Sequence, residues 1–425
     1  MKSALRQADV LLARKSFSED RRVSHLSRRI YLLIVGGTGF AAMLQLFLLP
    51  LFLDPRAFGL VVISIASTQA VLQLSDLGIT SVGQSLKIAA SDRARLKESA
   101  LAVSNATVAI ASAGVIAAIL EGPLAQDVGV SILLGLLTGL AVTTDRLRAA
   151  TRELAGDETG AARCHALWQN APKLGMILAA PSGSPFLVMI GGLITGLALC
   201  RPLLPRGRAL RDARRLKGWR VDAAGNTVAP YAMNWADSFA ISATMGLASL
   251  GAYQLNYRII AAVAYVAAPF ASILVSRSRN DPRQALRTFA TMLLVTLLAT
   301  PALALGAHFY SSWVGFADVL DWKVYALLAL GQVALVVSTG CGRILISWGE
   351  RATPAIASLA AAGVILIASS LLVPVLGVIG AALASAAGLM VAAIWQGTRW
   401  WLLLIARRIR SSPPGETMSH ETIPT

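Results

Sequence analysis

The run RPLLPRGRALRDARRLKGWR, residues 201–220, carries eight Lys and Arg residues and separates two long apolar tracts. A segment this basic does not cross hydrocarbon. Between apolar stretches it marks a loop on the cytoplasmic side of a membrane, where Lys and Arg accumulate. Working outward from it in both directions, cations recur in every second gap between apolar stretches: residues 1–29 (eight), 87–97 (four), 146–163 (four), 277–287 (four), 343–351 (two) and 399–410 (four). In all, 34 of the 38 basic residues fall in these alternate gaps. Both termini are expected inside, which requires an even number of spans.

Composition leads to the same class. With 56% hydrophobic residues and 14% charged, and a mean hydropathy of +0.64, the chain is too apolar for a soluble domain of its length. A helix crossing the hydrocarbon needs about 20 mainly apolar residues. Twelve segments meet that need: roughly 30–53, 57–86, 98–120, 128–145, 165–181, 184–203, 225–247, 250–275, 288–310, 322–347, 353–373 and 376–406. Asp145 and Lys173 intrude on the fourth and fifth, and the first hairpin turns on only Asp54-Pro55-Arg56. The expected organisation is a basic cytoplasmic tail (1–29), a six-helix bundle (30–200), a basic connector (201–224), a second six-helix bundle (225–406) and a cytoplasmic tail (407–425). The connector, with Trp219, suits either an interfacial helix on the anionic inner leaflet or a solvated linker.

Several classes are disfavoured. The net charge of +16 sits at helix ends rather than in aromatic-interleaved patches, so no nucleic-acid partner is expected. Cys164, Cys200 and Cys341 lack metal-ligand spacing and map near the reducing face, so neither a disulfide nor a metal is expected. The apolar run from Ile30 is too long for a signal-peptide core. No outer loop exceeds about a dozen residues by these boundaries, which leaves no room for an extracytoplasmic catalytic domain and argues against a membrane-embedded glycan polymerase. No enzymatic activity and no nucleotide-binding motif is read in the sequence.

The two halves resemble each other at an offset of about 190 residues. Phe58-Gly59-Leu60 opens the second span and Leu250-Gly251-Ala252-Tyr253 the eighth, and each span then runs into a four-cation loop. Both halves enter from the same side, so they are parallel repeats about a pseudo-two-fold axis along the membrane normal, a transporter architecture with the substrate path between halves. The heptapeptides starting at Gly135 and Gly192 (Gly-Leu-[Leu/Ile]-Thr-Gly-Leu-Ala) read as small-residue packing surfaces.

Leu53-Asp54-Pro55-Arg56-Ala57-Phe58-Gly59-Leu60 followed by Leu74-Ser75-Asp76-Leu77-Gly78-Ile79, Asp237 ahead of Leu250-Gly251-Ala252-Tyr253, and Val373-Pro374-Val375-Leu376-Gly377-Val378-Ile379-Gly380 entering the last span together resemble Wzx-type polysaccharide flippases of the multidrug/oligosaccharidyl-lipid/polysaccharide (MOP) exporter superfamily. The chain departs from that pattern in its basic amino-terminal extension and in using Asp-Pro-Arg at the first turn. The resemblance implies transfer of an undecaprenyl-diphosphate-linked oligosaccharide across the bacterial inner membrane, with membrane lipids, a glycan polymerase and chain-length proteins as partners. It implies no cofactor, and a proton or sodium gradient as energy source. A multidrug cation antiporter of the same superfamily is the alternative.

A diphosphate and sugars need a cavity with cations and hydrogen-bonding groups. Four basic residues lie outside the cytoplasmic gaps: Arg56 and Lys323 at the outer face, Lys173 and Arg258 within spans. Arg258, with Gln254 one turn earlier on its face, is either a diphosphate contact or the partner of Asp237 in a structural ion pair. Lys173, after Pro172, is either a cavity cation or a residue snorkelling from a helix end. Asp237, with Asn234 on its face, suits a proton or sodium site. Asp76 before Leu77-Gly78 suits the same role or a helix cap. The expected substrate contacts are thus Arg258, Lys173, Gln254, Asn234 and Arg56, and the expected ion-coupling residues Asp237 and Asp76. Gln45, Gln69, Gln73, Asn105 and Gln332 read as interhelical glue.

Overall fold

A computed structural model describes residues 41–76, 90–122, 124–154, 157–200, 221–267, 270–271, 274, 282–316, 321–350 and 352–411. The amino-terminal tail 1–29, residues 30–40 of the expected first span, most of the connector 201–224 and the end of the carboxyl-terminal tail lie outside these. Among the described residues the regular elements are helices: α1 (Ala41–Phe52), α2 (Pro55–Asp76), α3 (Ala90–Leu120), α4 (Gln126–Leu154), α5 (Glu158–Ala179), α6 (Pro185–Cys200), α7 (Val221–Thr244), α8 (Leu247–Ala261), α9 (Pro282–Trp313), α10 (Trp322–Ser347), α11 (Ala352–Leu376) and α12 (Val378–Ser411). Each expected span overlaps one of them, with 30–40 and 77–86 of the first two outside the described residues.

Seven, namely α2, α3, α4, α9, α10, α11 and α12, are long and apolar enough to cross a membrane, and α1 and α6 are shorter apolar helices. The three left over are informative: α5, α7 and α8 carry Lys173, Asp237 and Arg258 respectively, and their polar load is what lowers their hydropathy. Several boundaries differ from expectation, and two of the differences have a local cause. Helix α4 runs past residue 145 to Leu154 because Asp145, buried, pairs within the helix with Arg148 at 2.6 Å, so the charge does not end the helix. Helix α8 stops at Ala261 rather than continuing to 275. Ala262 donates to both Arg258 O (3.1 Å) and Ile259 O (3.2 Å), and Tyr265 donates to Ala262 O (3.0 Å), a locally tightened turn before helix resumes at 263.

Packing repeats with a shift of six helices. Helices α2–α4, α5–α6, α4–α6 and α3–α4 touch in the first half as α8–α10, α11–α12, α10–α12 and α9–α10 do in the second. The halves meet chiefly through α2 and α8, the two helices this symmetry exchanges. Their contact is reciprocal. Gly59 is the fifth residue of α2, and a Cβ there would strike the carbonyl oxygen of Leu247, the first residue of α8. Gly251 is the fifth residue of α8, and its Cβ would strike the carbonyl of Pro55, the first residue of α2, and lie 3.1 Å from the Gly59 nitrogen. Backbone rests on backbone, as small residues permit between membrane helices.

The entry to each helix is built locally. Asp54 Oδ1 caps α2 by accepting from Ala57 N at 2.7 Å, with Pro55 at the first helical position. The α7–α8 turn is only Met245-Gly246, with Gly246 at φ 87°, a left-handed conformation that favours glycine. Around these turns one apolar cluster spans both halves, including Leu49, Phe58, Leu250, Phe316, Val324 and Val378. Phe58 meets Phe316 edge-on at 5.8 Å, Phe47 meets Tyr310 at 4.9 Å, and the Tyr310 hydroxyl donates to Phe47 O. Toward the opposite ends of the helices the clusters separate, with Ala100, Leu101, Leu147 and Ala150 in the first half and Val263, Phe289, Cys341 and Ile344 in the second. The expected packing role of the Gly135 and Gly192 heptapeptides holds: a Cβ on Gly135 would strike Ser64 O of α2, and one on Gly192 would lie 3.0 Å from Met176 of α5.

Gly59→Ala and Gly251→Ala should each destabilise the purified protein by about 1–3 kcal/mol through overpacking. Gly306→Ala, where a Cβ meets nothing within 4 Å, should be neutral or stabilising by up to about 1 kcal/mol from helix propensity. Thermal unfolding in detergent checks the opposite signs.

Candidate substrate cavity

Joined at one end and separated toward the other, the halves enclose a cavity of about 550 Å³. From the first half it is lined by Gln45 of α1, Gln69 of α2, and Trp168, Gln169 and Lys173 of α5; from the second by Asn234 of α7, Tyr257 and Arg258 of α8, and Gln332 of α10. The remaining wall is mainly apolar, including Leu46, Val62, Leu72 and Leu335. Both cations within spans therefore face one space from opposite halves, close enough for their charges to interact. No Asp or Glu is among the described lining residues.

Arg258 is held from two sides. Its Nε donates to Gln254 Oε1 at 3.1 Å, and its guanidinium lies 4.9 Å over the Trp235 ring, a stacking that offsets part of the cost of taking a cation out of water. Gln254 is 1% exposed and does not line the cavity; its Nε2 donates to Ser238 Oγ at 2.5 Å. Ser238 in turn donates to Asp237 Oδ1 through both Oγ (3.0 Å) and its backbone N–H (2.7 Å). Asp237 is fully buried behind the lining, and its Oδ2 accepts from the Tyr253 hydroxyl at 2.5 Å. Arg258 and Asp237 are thus connected through Gln254 and Ser238 rather than as a direct ion pair.

Asn234 lines the cavity with its amide already engaged: Oδ1 accepts from the Tyr257 hydroxyl (3.1 Å) and Nδ2 donates to Pro230 O (2.7 Å). Arg56 lies apart from the cavity, paired at 3.1 Å with Asp127 at the end where α2 begins. Lys323 at that end is 3.7 Å from Asp321. Asp76 is the last residue of α2, and its side chain lies outside the described residues. Gln332, like Gln45 and Gln69, is read from sequence only as interhelical glue and lines the cavity instead. It is 1% exposed and lines the cavity, and neither Oε1 nor Nε2 completes a hydrogen bond. A lone amide in the apolar stretch 324–337 of α10 was its signal.

No protein-family model and no curated protein matches the chain. Solved structures do. A multidrug resistance MATE family transporter of the MOP superfamily, in its inward-facing conformation, superimposes with a TM-score of 0.55 at 15% identity, covering 90% of this chain and 96% of that one. The lipid II flippase MurJ in an inward closed conformation gives a TM-score of 0.59 at 11% identity, covering 91% and 94%. The chain has the fold of MOP-superfamily transporters. An outward-facing MATE family structure of the same superfamily gives 0.50 at 15% identity over 91% of this chain. The MOP fold and the seven long apolar helices make this a multi-pass membrane protein.

If the cavity takes a diphosphate, Lys173→Gln and Arg258→Gln should each weaken binding of inorganic pyrophosphate by roughly tenfold or more, the range expected when a charge-assisted contact is removed. Arg56→Gln should leave it within about twofold, since an exposed ion pair contributes little. Isothermal titration of the purified variants checks both.

Proposed function

We propose that this protein moves a diphosphate-linked, lipid-anchored oligosaccharide from the inner to the outer leaflet of a bacterial inner membrane. The observation that carries the reading is the pairing of Lys173 and Arg258 from opposite halves across one cavity whose described lining holds no carboxylate. Phosphates are recognised by Arg and Lys in sites shielded from water. In this reading the two cations engage the diphosphate, and Gln332, Gln69 and Gln169 supply hydrogen bonds to the first sugars. The aromatic faces of Trp168 and Tyr257 offer surfaces for their apolar sides, while the polyprenyl tail stays in lipid.

Orientation follows from the alternate placement of cations: the glycine contact lies at the outer face and the cavity belongs to the cytoplasmic side, with both termini inside. Energy would come from a proton or sodium gradient acting at Asp237, with Asp76 a second candidate. A glycan polymerase and chain-length proteins would act on the product outside.

A cation antiporter built on the same fold is the competing reading. It would favour carboxylates facing its ligand, and the described lining has cations instead. Reconstituted into liposomes, the protein should translocate a fluorescent undecaprenyl-diphosphate oligosaccharide and leave a quaternary ammonium dye unmoved. Transport of the dye without the lipid-linked sugar would overturn the proposal in favour of the antiporter.

A further inference from the structure

Four hydrogen-bonded side chains lead from the buried carboxylate to the cavity wall, and their chemistry gives the chain a direction. An ionised carboxylate only accepts. The Ser238 hydroxyl therefore commits its single proton to Asp237 Oδ1 (3.0 Å) and presents only lone pairs to Gln254. Gln254 must then turn its amide nitrogen toward Ser238 (2.5 Å), which leaves Oε1 facing the other way, onto Arg258 Nε (3.1 Å). With Nε engaged and the guanidinium plane laid over Trp235 at 4.9 Å, the rotation of the planar fork about its last bonds is fixed from two sides. Tyr253, donating to the other carboxylate oxygen at 2.5 Å, holds the far end of the relay in place.

From this we propose that Ser238 and Gln254 are positioning residues: they carry the state of Asp237 to the orientation of Arg258, and so set how well the cavity grips a diphosphate. The inference rests on the reading of Arg258 as a phosphate contact. If Asp237 gains a proton or a monovalent cation, Ser238 is released to donate elsewhere. Arg258 Nε, which only donates, still faces Gln254 Oε1, but Gln254 Nε2 loses the acceptor that anchors it, so the amide and the guanidinium bonded to it are no longer held in place from the Asp237 side. A change at a site that never touches the substrate thus reaches the residue that does. Gln254 fits this role better than direct contact, because it is 1% exposed and both ends of its amide are engaged within the protein.

The test uses the full-length purified protein and inorganic pyrophosphate as the probe, followed by isothermal titration. Ser238→Ala and Gln254→Leu should each weaken binding by roughly tenfold, the scale of one hydrogen bond to a charged group, although neither residue lines the cavity. Because both act through one group, the double variant should bind no worse than the weaker single one. Adding Gln254→Leu to Arg258→Gln should cost nothing further, since coupled residues are not additive. Gln254→His, which can still offer an acceptor to Nε, should recover part of the loss. Losses that simply add, or wild-type affinity in both Ser238→Ala and Gln254→Leu while Arg258→Gln is impaired, would overturn the positioning role and leave the phosphate reading intact. No pyrophosphate binding by the wild type, or full binding by Arg258→Gln, would instead remove the phosphate reading. Should Gln254→Leu fail to fold, Ser238→Ala, which removes one oxygen, decides the matter with Asp237→Asn, expected to weaken binding comparably.

Discussion

Two helix backbones touch because two side chains are missing. In lipid there is no hydrophobic force drawing one apolar helix to another, since the surroundings are as apolar as the partner, so association rests on close packing and weak polar contacts. At Gly59 and Gly251 the halves of this protein come within backbone contact, each glycine opposite the first carbonyl of the other helix. The rest of the architecture follows from where that contact lies. Placed at one end of α2 and α8, it lets an apolar cluster close over that end while the clusters at the other end remain separate, and the space left between them is the cavity.

The polar residues obey a second constraint. Ionisable groups inside a membrane are tolerated only when turned away from lipid and supplied with partners. Helices α5, α7 and α8, which fall short of the hydropathy of an ordinary span, each contribute polar side chains to the cavity lining. Asp237 is surrounded by three donors, Arg258 by an amide and an indole, and Asp145 by the arginine one turn along its own helix. The residues lowering the hydropathy of these helices are therefore the same ones that define the interior.

Much of this was legible in the sequence because membrane insertion is governed by composition over long windows. The alternate cationic gaps, the twelve apolar segments and the repeat that aligns Gly59 with Gly251 were all readable. Lys173 and Arg258 stood out as cations that topology did not explain. What could not be read were relations set by helix rotation and tertiary distance. A direct pair of Asp237 and Arg258 was one of two readings the sequence left open, and the side chains of Ser238 and Gln254 fill the gap between them. Arg56 shares the charge of Arg258 but not its surroundings, being tied to Asp127, a residue 71 positions away. Gln332 looked like any other amide in a span, because only the packing of α10 decides whether its amide meets a neighbouring helix or open space. The early end of α8 at Ala261 was hidden for a similar reason, as the apolar character of the sequence continues through the turn.

The placement of the two cavity cations on separate halves has a mechanical side. Like charges facing each other across one space repel, and here the repulsion acts between side chains carried by the two halves. In the proposed reading, a cavity without an anion leaves that repulsion acting between the halves, away from the end where Gly59 and Gly251 hold them together. An anion lodged between them reverses the sign of the force and draws both halves onto itself. If the cargo is the anion proposed above, its own charge would act as a clasp, and an uncharged molecule of the same shape, however well it fits, would leave the spring uncompressed.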